Sequence, residues 1–305
     1  MRILITGASG LLGLNLALET APRHTVFGTV NNQRLKTGAF TVIHTDLLAP
    51  GAVESLLEAT RPAWVIHCAA LANLDACEAA PDLARQLNTE LPRTLAGFVA
   101  RSGARLVHIS TDAVFDGLRG GYTEEDRPSP LGVYSHTKLE GELAVAEANP
   151  GAIIARVNLF GWSLAGDRSL AEFFFNNLSQ GRQVMGFTDV FFCPLLANHL
   201  AEIFIKMLES KLSGVYHVVS PESLSKYEFG VRLAQRFSLD GSLVQPTPVI
   251  KAGLKAARSP NLTLRSDKLT AALGEHLPGV SAGLDKFYSL YLRGYPQMLR
   301  SLEAE

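Results

Sequence analysis

Short apolar runs alternate with helix-period segments through the first half of the chain, and this alternation restricts the fold more than any other feature. The runs are RILIT (2–6), TVFGTV (25–30), FTVIH (40–44), WVIHCA (64–69), RLVHIS (105–110) and AIIARV (152–157). Between them lie helical patterns. Leu11, Leu12, Leu14, Leu16 and Leu18 follow the first run, Val53, Leu56 and Leu57 the third, and Leu83, Leu87, Leu91, Leu95 and Phe98 precede the fifth. Strand, helix, strand in this order predicts an α/β fold: a doubly wound parallel sheet of the Rossmann kind, with right-handed crossovers covering both faces.

The alternation ends near residue 160. Helical segments near 169–181, 194–210, 225–237 and 280–293 surround a short run, VYHVV (215–219), and a basic stretch, KAGLKAARSPNLTLRSDK (251–268). The expected organisation is a nucleotide-binding domain over 1–160 and a smaller, mainly helical substrate lobe over 161–305. Some lobe segments are expected to return to the first domain, leaving a cleft between the lobes.

The chain has 305 residues, 47% of them hydrophobic, enough for a large core, and 28 Lys and Arg balance 29 Asp and Glu. Such a balance argues against nucleic-acid or anionic-membrane partners and for small molecules or proteins. Cys68, Cys77 and Cys193 show no metal-ligand spacing, so no metal is expected and reduced thiols in a cytoplasmic protein are. The apolar region near 190–208 is interrupted by Pro194, Asn198, His199, Glu202 and Lys206, too often for a membrane span.

TGASGLLG follows the first strand directly and leads into the leucine-rich helix. Gly7, Gly10 and Gly13 allow a tight turn and close approach to a pyrophosphate, with Ser9, Leu11 and Leu12 supplying the rest of the loop. NAD-selective folds place Asp or Glu at the end of the second strand; here the chain reads Val30-Asn31-Asn32-Gln33-Arg34. Without that carboxylate a 2′-phosphate is tolerated and Arg34 can pair with it, which favours NADP(H) and leaves NAD(H) open. Arg34 as a solvated loop residue is the alternative. Asp46 and Leu47 follow the third strand where an adenine edge would lie. Cys68, Ala69 and Ala70 end the fourth with small side chains, suited either to a cofactor against the backbone or to plain close packing.

At the end of the fifth strand stand Ser110, Thr111 and Asp112, and beyond them YSHTK, with Tyr134 and Lys138 four residues apart. On a helix that spacing puts both side chains on one face, roughly 6 Å apart. A phenol titrates near 10, and a neighbouring ammonium favours its ionised form, so Lys138 is expected to tune Tyr134 as a proton donor. Lys138 is also placed to bond a ribose, and Thr111 to orient a substrate carbonyl.

These motifs together resemble the extended short-chain dehydrogenase/reductase superfamily. STDAVFDG…YTEEDRPSPLGVYSHTKLEGE, with VIHCAALANLDACEAAP and ARSPNLTLRSDKLTAALG, resembles the dTDP-4-dehydrorhamnose reductase family, to which the regulatory subunit of methionine adenosyltransferase is also similar. The resemblance implies Thr111, Tyr134 and Lys138 as the catalytic set and the three glycines as the pyrophosphate loop. It implies NADP(H)-dependent reduction of a nucleotide-linked 4-keto-6-deoxy sugar, with a homodimer possible. A related epimerase or dehydratase and a non-catalytic NADP-binding regulatory subunit are the competing readings. Substrate contacts are expected from Thr111, Asp112, Asn158 and Arg258; Arg258 and Lys255 either face a diphosphate or form a solvated basic face. The chain departs from the family at Ala113, where the reductases carry Tyr, at Val157-Asn158-Leu159, where an aromatic is usual, and at Pro194-Leu195, where Pro-Thr is usual. The sugar half of the site is therefore expected to be remodelled.

Overall fold

A seven-stranded parallel sheet organises the computed structural model, which describes residues 1–252 and 259–303. Its strands are β1 (Arg2–Thr6), β2 (Thr25–Val30), β3 (Thr41–His44), β4 (Trp64–His67), β5 (Arg105–Thr111), β6 (Ile153–Val157) and β7 (Gly214–Val218). They lie in the order β7-β6-β5-β4-β1-β2-β3. The order reverses between β1 and β4, which pair through Ile5 with Ile66 and Thr6 with His67, so a crevice opens at their C-terminal ends. Helices α1 (Leu11–Thr20), α2 (Ala52–Thr60), α3 (Leu91–Ser102) and α4 (Val133–Ala148) flank the sheet.

Side-chain alternation along β1 shows why both faces are covered. Ile3 and Ile5 pack in one cluster with Leu14 and Leu16 of α1, while Leu4 points the other way onto Val53, Leu57, Leu95 and Val99 of α2 and α3. Each such fully buried aliphatic side chain contributes about 1.5–3 kcal/mol of transfer free energy.

The six sequence-predicted strands form within a residue or two of expectation. VYHVV is the correction: it is β7, a member of the main sheet and not of the lobe, paired parallel to β6 from Gly214 with Ile153 to Val218 with Val157. Its buried Tyr216, His217 and Val218 need cover on both faces, which a sheet position next to β6 supplies.

The C-terminal half adds α5 (Leu170–Leu178), α6 (Ala197–Glu209), α7 (Lys226–Arg236) and α8 (Val280–Leu292). Its core is aromatic. Trp162 stacks on Phe287 at 4.0 Å between ring centroids and donates its indole N–H to the Phe287 carbonyl at 3.0 Å. Phe160, Phe229 and Phe287 meet edge to face. This core is continuous with the α1 face of the sheet, so lobe and sheet are welded on that side. Among the described residues, no helix is long and apolar enough to cross a membrane.

The central strands also bury charge. Arg156 of β6 grips Glu142 of α4, Nη2 to Oε2 at 2.7 Å and Nε to Oε1 at 3.0 Å, with both side chains under 5% exposed. Ser110 of β5 donates to the same carboxylate at 2.5 Å, and Arg156 Nη1 approaches His217 Nε2 at 3.4 Å. Against this layer lie His67 and His108, stacked at 5.5 Å. A five-residue π turn, Gln86–Glu90, fits against α4 only because residue 141 is glycine: a Cβ there would run into the Asn88 carbonyl oxygen. Asn88 then ties the Leu71 backbone in both directions, at 2.9 and 3.0 Å.

Two predictions follow from this packing. Gly141→Ala should lower unfolding free energy by about 1–3 kcal/mol in urea titration, since backbone and not a movable side chain meets the added methyl. Burial holds His67 and His217 down at about 3, with the Lys138 and Arg156 charges adding to the shift, and holds His108 well below its ordinary value. Unfolded imidazoles bind protons below about 6.5 while these do not, so stability falls as pH drops below that value. Between pH 6.5 and 5 the expected loss is on the order of 1.4 kcal/mol per pH unit per histidine; a level stability across that window would contradict it.

Candidate active site

The glycine turn is built by close contact. Gly7, at φ +68, leaves β1 in a left-handed conformation, and a Cβ on it would sit 2.9 Å from the Ala69 Cα. The Gly10 amide donates to the Gly7 carbonyl at 3.0 Å, and a side chain at Gly13 would strike that same oxygen. Ala8 donates to Thr29 of β2 at 2.8 Å, seating the loop on the sheet. Gly10 caps α1 without any side-chain hydrogen bond, so the first-turn amides around Leu11, Leu12 and Gly13 are left to an anion. Ser9 and Leu11 are half-buried beside them and Leu12 is buried.

Thr6 fastens the two sides of the crevice. Its hydroxyl accepts from the amides of Cys68 and Ala69, both at 3.2 Å, and gives its own proton to Nδ1 of His67 at 2.7 Å. Cys68 and Ala69 therefore stand directly across from Gly7, with Ala70 exposed beyond them. Arg34 and Asp46 lie on the exposed edge past β2 and β3, where Asp46 Oδ1 accepts the Leu48 amide at 2.9 Å. Leu47 lines a separate cleft of about 480 Å³ with Phe98 of α3.

Thr111, Tyr134 and Lys138 come together at the ends of β5 and α4. The Thr111 hydroxyl accepts the Ala113 amide at 3.1 Å and lies 3.1 Å from Asp112 Oδ1, while its hydrogen bond to Tyr134 favours the ionised phenol. Burial outweighs that bond, and the Tyr134 phenol is pushed up to about 12. Lys138, 3% exposed, donates to the Ile109 carbonyl at 2.6 Å, and burial brings its ammonium down to about 8 against the opposing charge of Glu142.

The expected tuning of Tyr134 by Lys138 is thus corrected. The ammonium is turned to the β5 backbone, and the groups its charge acts on are His67, Cys68 and His108. The carboxyl beside the phenol is that of Asp112, whose negative charge opposes the phenol's ionisation. A phenol held protonated in this way is a hydrogen donor at neutral pH.

Beside the phenol opens a cavity of about 570 Å³, lined by Tyr134, Asp112, Ala113 and Asn158 on the sheet side and by Phe191 and Lys226 on the lobe side. Asn158 donates to Asp112 Oδ2 at 2.5 Å, and burial raises the Asp112 carboxyl despite this bond and the Thr111 hydroxyl. The wall is completed by a loop that Gly117 lets lie against Ser259, with Tyr122 stacked on Phe115 at 4.3 Å and donating to Asp116 at 2.6 Å. Arg258 and Lys255 fall outside the described residues.

Sequence reasoning passed over Lys226, Phe191, Glu142 and Arg156. Glu142 was legible, four residues beyond Lys138 on the same helix face. Lys226 carried a weaker signal: it opens α7 within the capping box formed by Ser225 and Glu228. Phe191 carried none.

Comparison with known proteins identifies the family and the fold. A family model described as the RmlD substrate binding domain matches residues 1–292. The chain is 36% identical to methionine adenosyltransferase 2 subunit beta of Mus musculus, over 91% of this chain and 84% of that one. It is 30% identical to the probable low-salt glycan biosynthesis reductase Agl14 of Haloferax volcanii, over 95% and 99%. A crystal structure of dTDP-4-dehydrorhamnose reductase from Bacillus anthracis in complex with NADP superposes with a TM-score of 0.81 at 26% identity, covering 94% of this chain and 98% of that chain. With its glycine turn, its Thr111–Tyr134–Lys138 cluster and a family match along almost its whole length, the chain belongs to the RmlD substrate binding domain family of extended short-chain dehydrogenase/reductases.

Proposed function

We propose that this chain is an NADP(H)-dependent reductase of a nucleotide-linked 4-keto-6-deoxy sugar, as the name dTDP-4-dehydrorhamnose reductase describes for its structural relatives. The observation that carries the reading is the half-buried Tyr134 phenol, which shares one cavity wall with Asp112, Ala113 and Asn158 next to Thr111 at the end of β5. The Gly7–Gly13 turn and the uncapped start of α1 fit a pyrophosphate, since a Cβ at Gly7 or Gly13 would fill the space the backbone leaves. When bound, the nicotinamide supplies hydride to the C4 carbonyl carbon.

The protein's own residues do the rest. Thr111 and Tyr134 hold the carbonyl oxygen between two hydroxyls, and Tyr134 passes its proton to that oxygen as charge develops there. Lys138, kept in place by the Ile109 carbonyl, contributes a positive charge beneath the site and a donor for the cofactor ribose. Asp112 and Asn158, bonded to each other, face the sugar hydroxyls. Arg34 takes the 2′-phosphate, Asp46 and Leu47 border the adenine, and Ser110, Cys68, Ala69 and Ala70 form the floor. NADP(H) is preferred because no carboxylate ends β2; NAD(H) is the second cofactor the loop admits. A residue as small as Ala113 beside the cavity leaves room for a sugar different from rhamnose precursors.

The reading extends to a cytoplasmic homodimer. Its supports are the three cysteines, all free, and Leu143, which α4 leaves 65% exposed. The mouse relative favours a second reading, a regulatory subunit that binds the cofactor without turnover. An epimerase or dehydratase is disfavoured by Ala113, which follows Asp112 where the dehydratases carry an acidic residue.

Purified protein should oxidise NADPH on addition of dTDP-4-dehydrorhamnose. Tyr134→Phe should lower turnover about 100-fold or more while NADPH affinity, measured by fluorescence titration, changes less than about twofold. Wild-type protein that binds NADPH and oxidises none with any keto-sugar nucleotide would turn the assignment to the regulatory reading.

A further inference from the structure

The family match stops at residue 292, and the chain beyond it folds back onto the nucleotide-binding half. Gly294, at φ +72, makes the turn into a short helix, α9 (Tyr295–Ser301). The Tyr295 hydroxyl donates to Asn15 Oδ1 at 2.9 Å. Asn15 is fully buried within α1, and its amide group donates to the carbonyls of Leu11 at 2.7 Å and Trp162 at 2.8 Å. Leu299 is fully buried and anchors α9 in the same core.

Past α9 the chain runs beside the segment that follows β2. The Lys36 amide donates to the Leu302 carbonyl at 2.8 Å, Leu35 forms an antiparallel bridge with Glu303, and Gln33 Nε2 donates to Glu303 Oε1 at 2.9 Å. Leu35 is 5% exposed, so the bridge is backed by apolar burial. One short segment therefore touches both the helix of the glycine turn and the loop bearing Arg34.

We infer that Leu302 and Glu303 act as a strap that positions the Gln33–Lys36 loop for a 2′-phosphate, with Glu303 as a positioning residue for cofactor choice. The inference rests on the NADP(H) reading above. A loop that must bring a guanidinium to a phosphate loses conformational freedom on binding; a loop already bridged on one side loses less. The benefit falls on ligands that engage the loop through a 2′-phosphate and leaves those without one almost untouched.

Titration of wild type, Glu303→Ala and Glu303→Gln with NADPH and with NADH tests this. Glu303→Ala should weaken NADPH binding about fivefold, the worth of one hydrogen bond, and change NADH binding less than about twofold. Glu303→Gln keeps the acceptor for Gln33 and should bind both as wild type does. Unchanged or tighter NADPH binding in Glu303→Ala, or equal losses for the two cofactors, would overturn the strap alone. Wild-type protein that binds NADH as tightly as NADPH would remove the cofactor reading and the strap with it.

Discussion

A single buried ammonium governs this site. Lys138 cannot sit almost fully enclosed without compensation, and the fold supplies it from three directions: the Ile109 carbonyl at 2.6 Å, the Glu142 carboxylate one helical turn on, and the absence of charge on His67 and His108. Glu142 is itself held by Arg156 and Ser110. The polar layer beneath the cavity is thus one connected structure. Its histidines stay neutral because burial disfavours their charged form, and the Lys138 and Arg156 charges add to that.

Around that layer, the two halves of the molecule divide the work. The sheet and α4 contribute the glycine turn, the Thr6 clasp across the crevice, and the hydroxyls of Thr111 and Tyr134. The C-terminal half contributes the cavity's far wall through Phe191 and Lys226, and its aromatic core makes that wall rigid against the sheet. The return of β7 beside β6 brings His217 against Arg156, so that even the charged layer draws on residues from both halves.

Much of this was legible in the sequence because it depends on local spacing. Alternating apolar runs located six strands, glycines three apart located the turn, and the four-residue interval put Tyr134 and Lys138 near one end of the same helix. What spacing does not carry is depth. The phenol rises where Lys138 was expected to lower it, because enclosure by protein, not the four-residue interval, decides the sign. VYHVV read as a lobe segment because its partner β6 lies far away in the chain, and Phe191 gave no sign of facing Asp112 for the same reason. Arg156 sits in a run that otherwise reads as buried strand, and only the carboxylate on a neighbouring helix explains it.

The central claim is that this interior delivers a proton from Tyr134 to a sugar carbonyl that has received hydride. The most direct measurement uses NADPH carrying deuterium at the transferred position of the nicotinamide, mixed with dTDP-4-dehydrorhamnose and the protein, with the sugar nucleotide recovered for mass spectrometry and NMR. The account predicts a product bearing one deuterium, at C4 of the sugar, in proportion to the cofactor oxidised. Unlabelled sugar recovered with the deuterium still on the cofactor would contradict it.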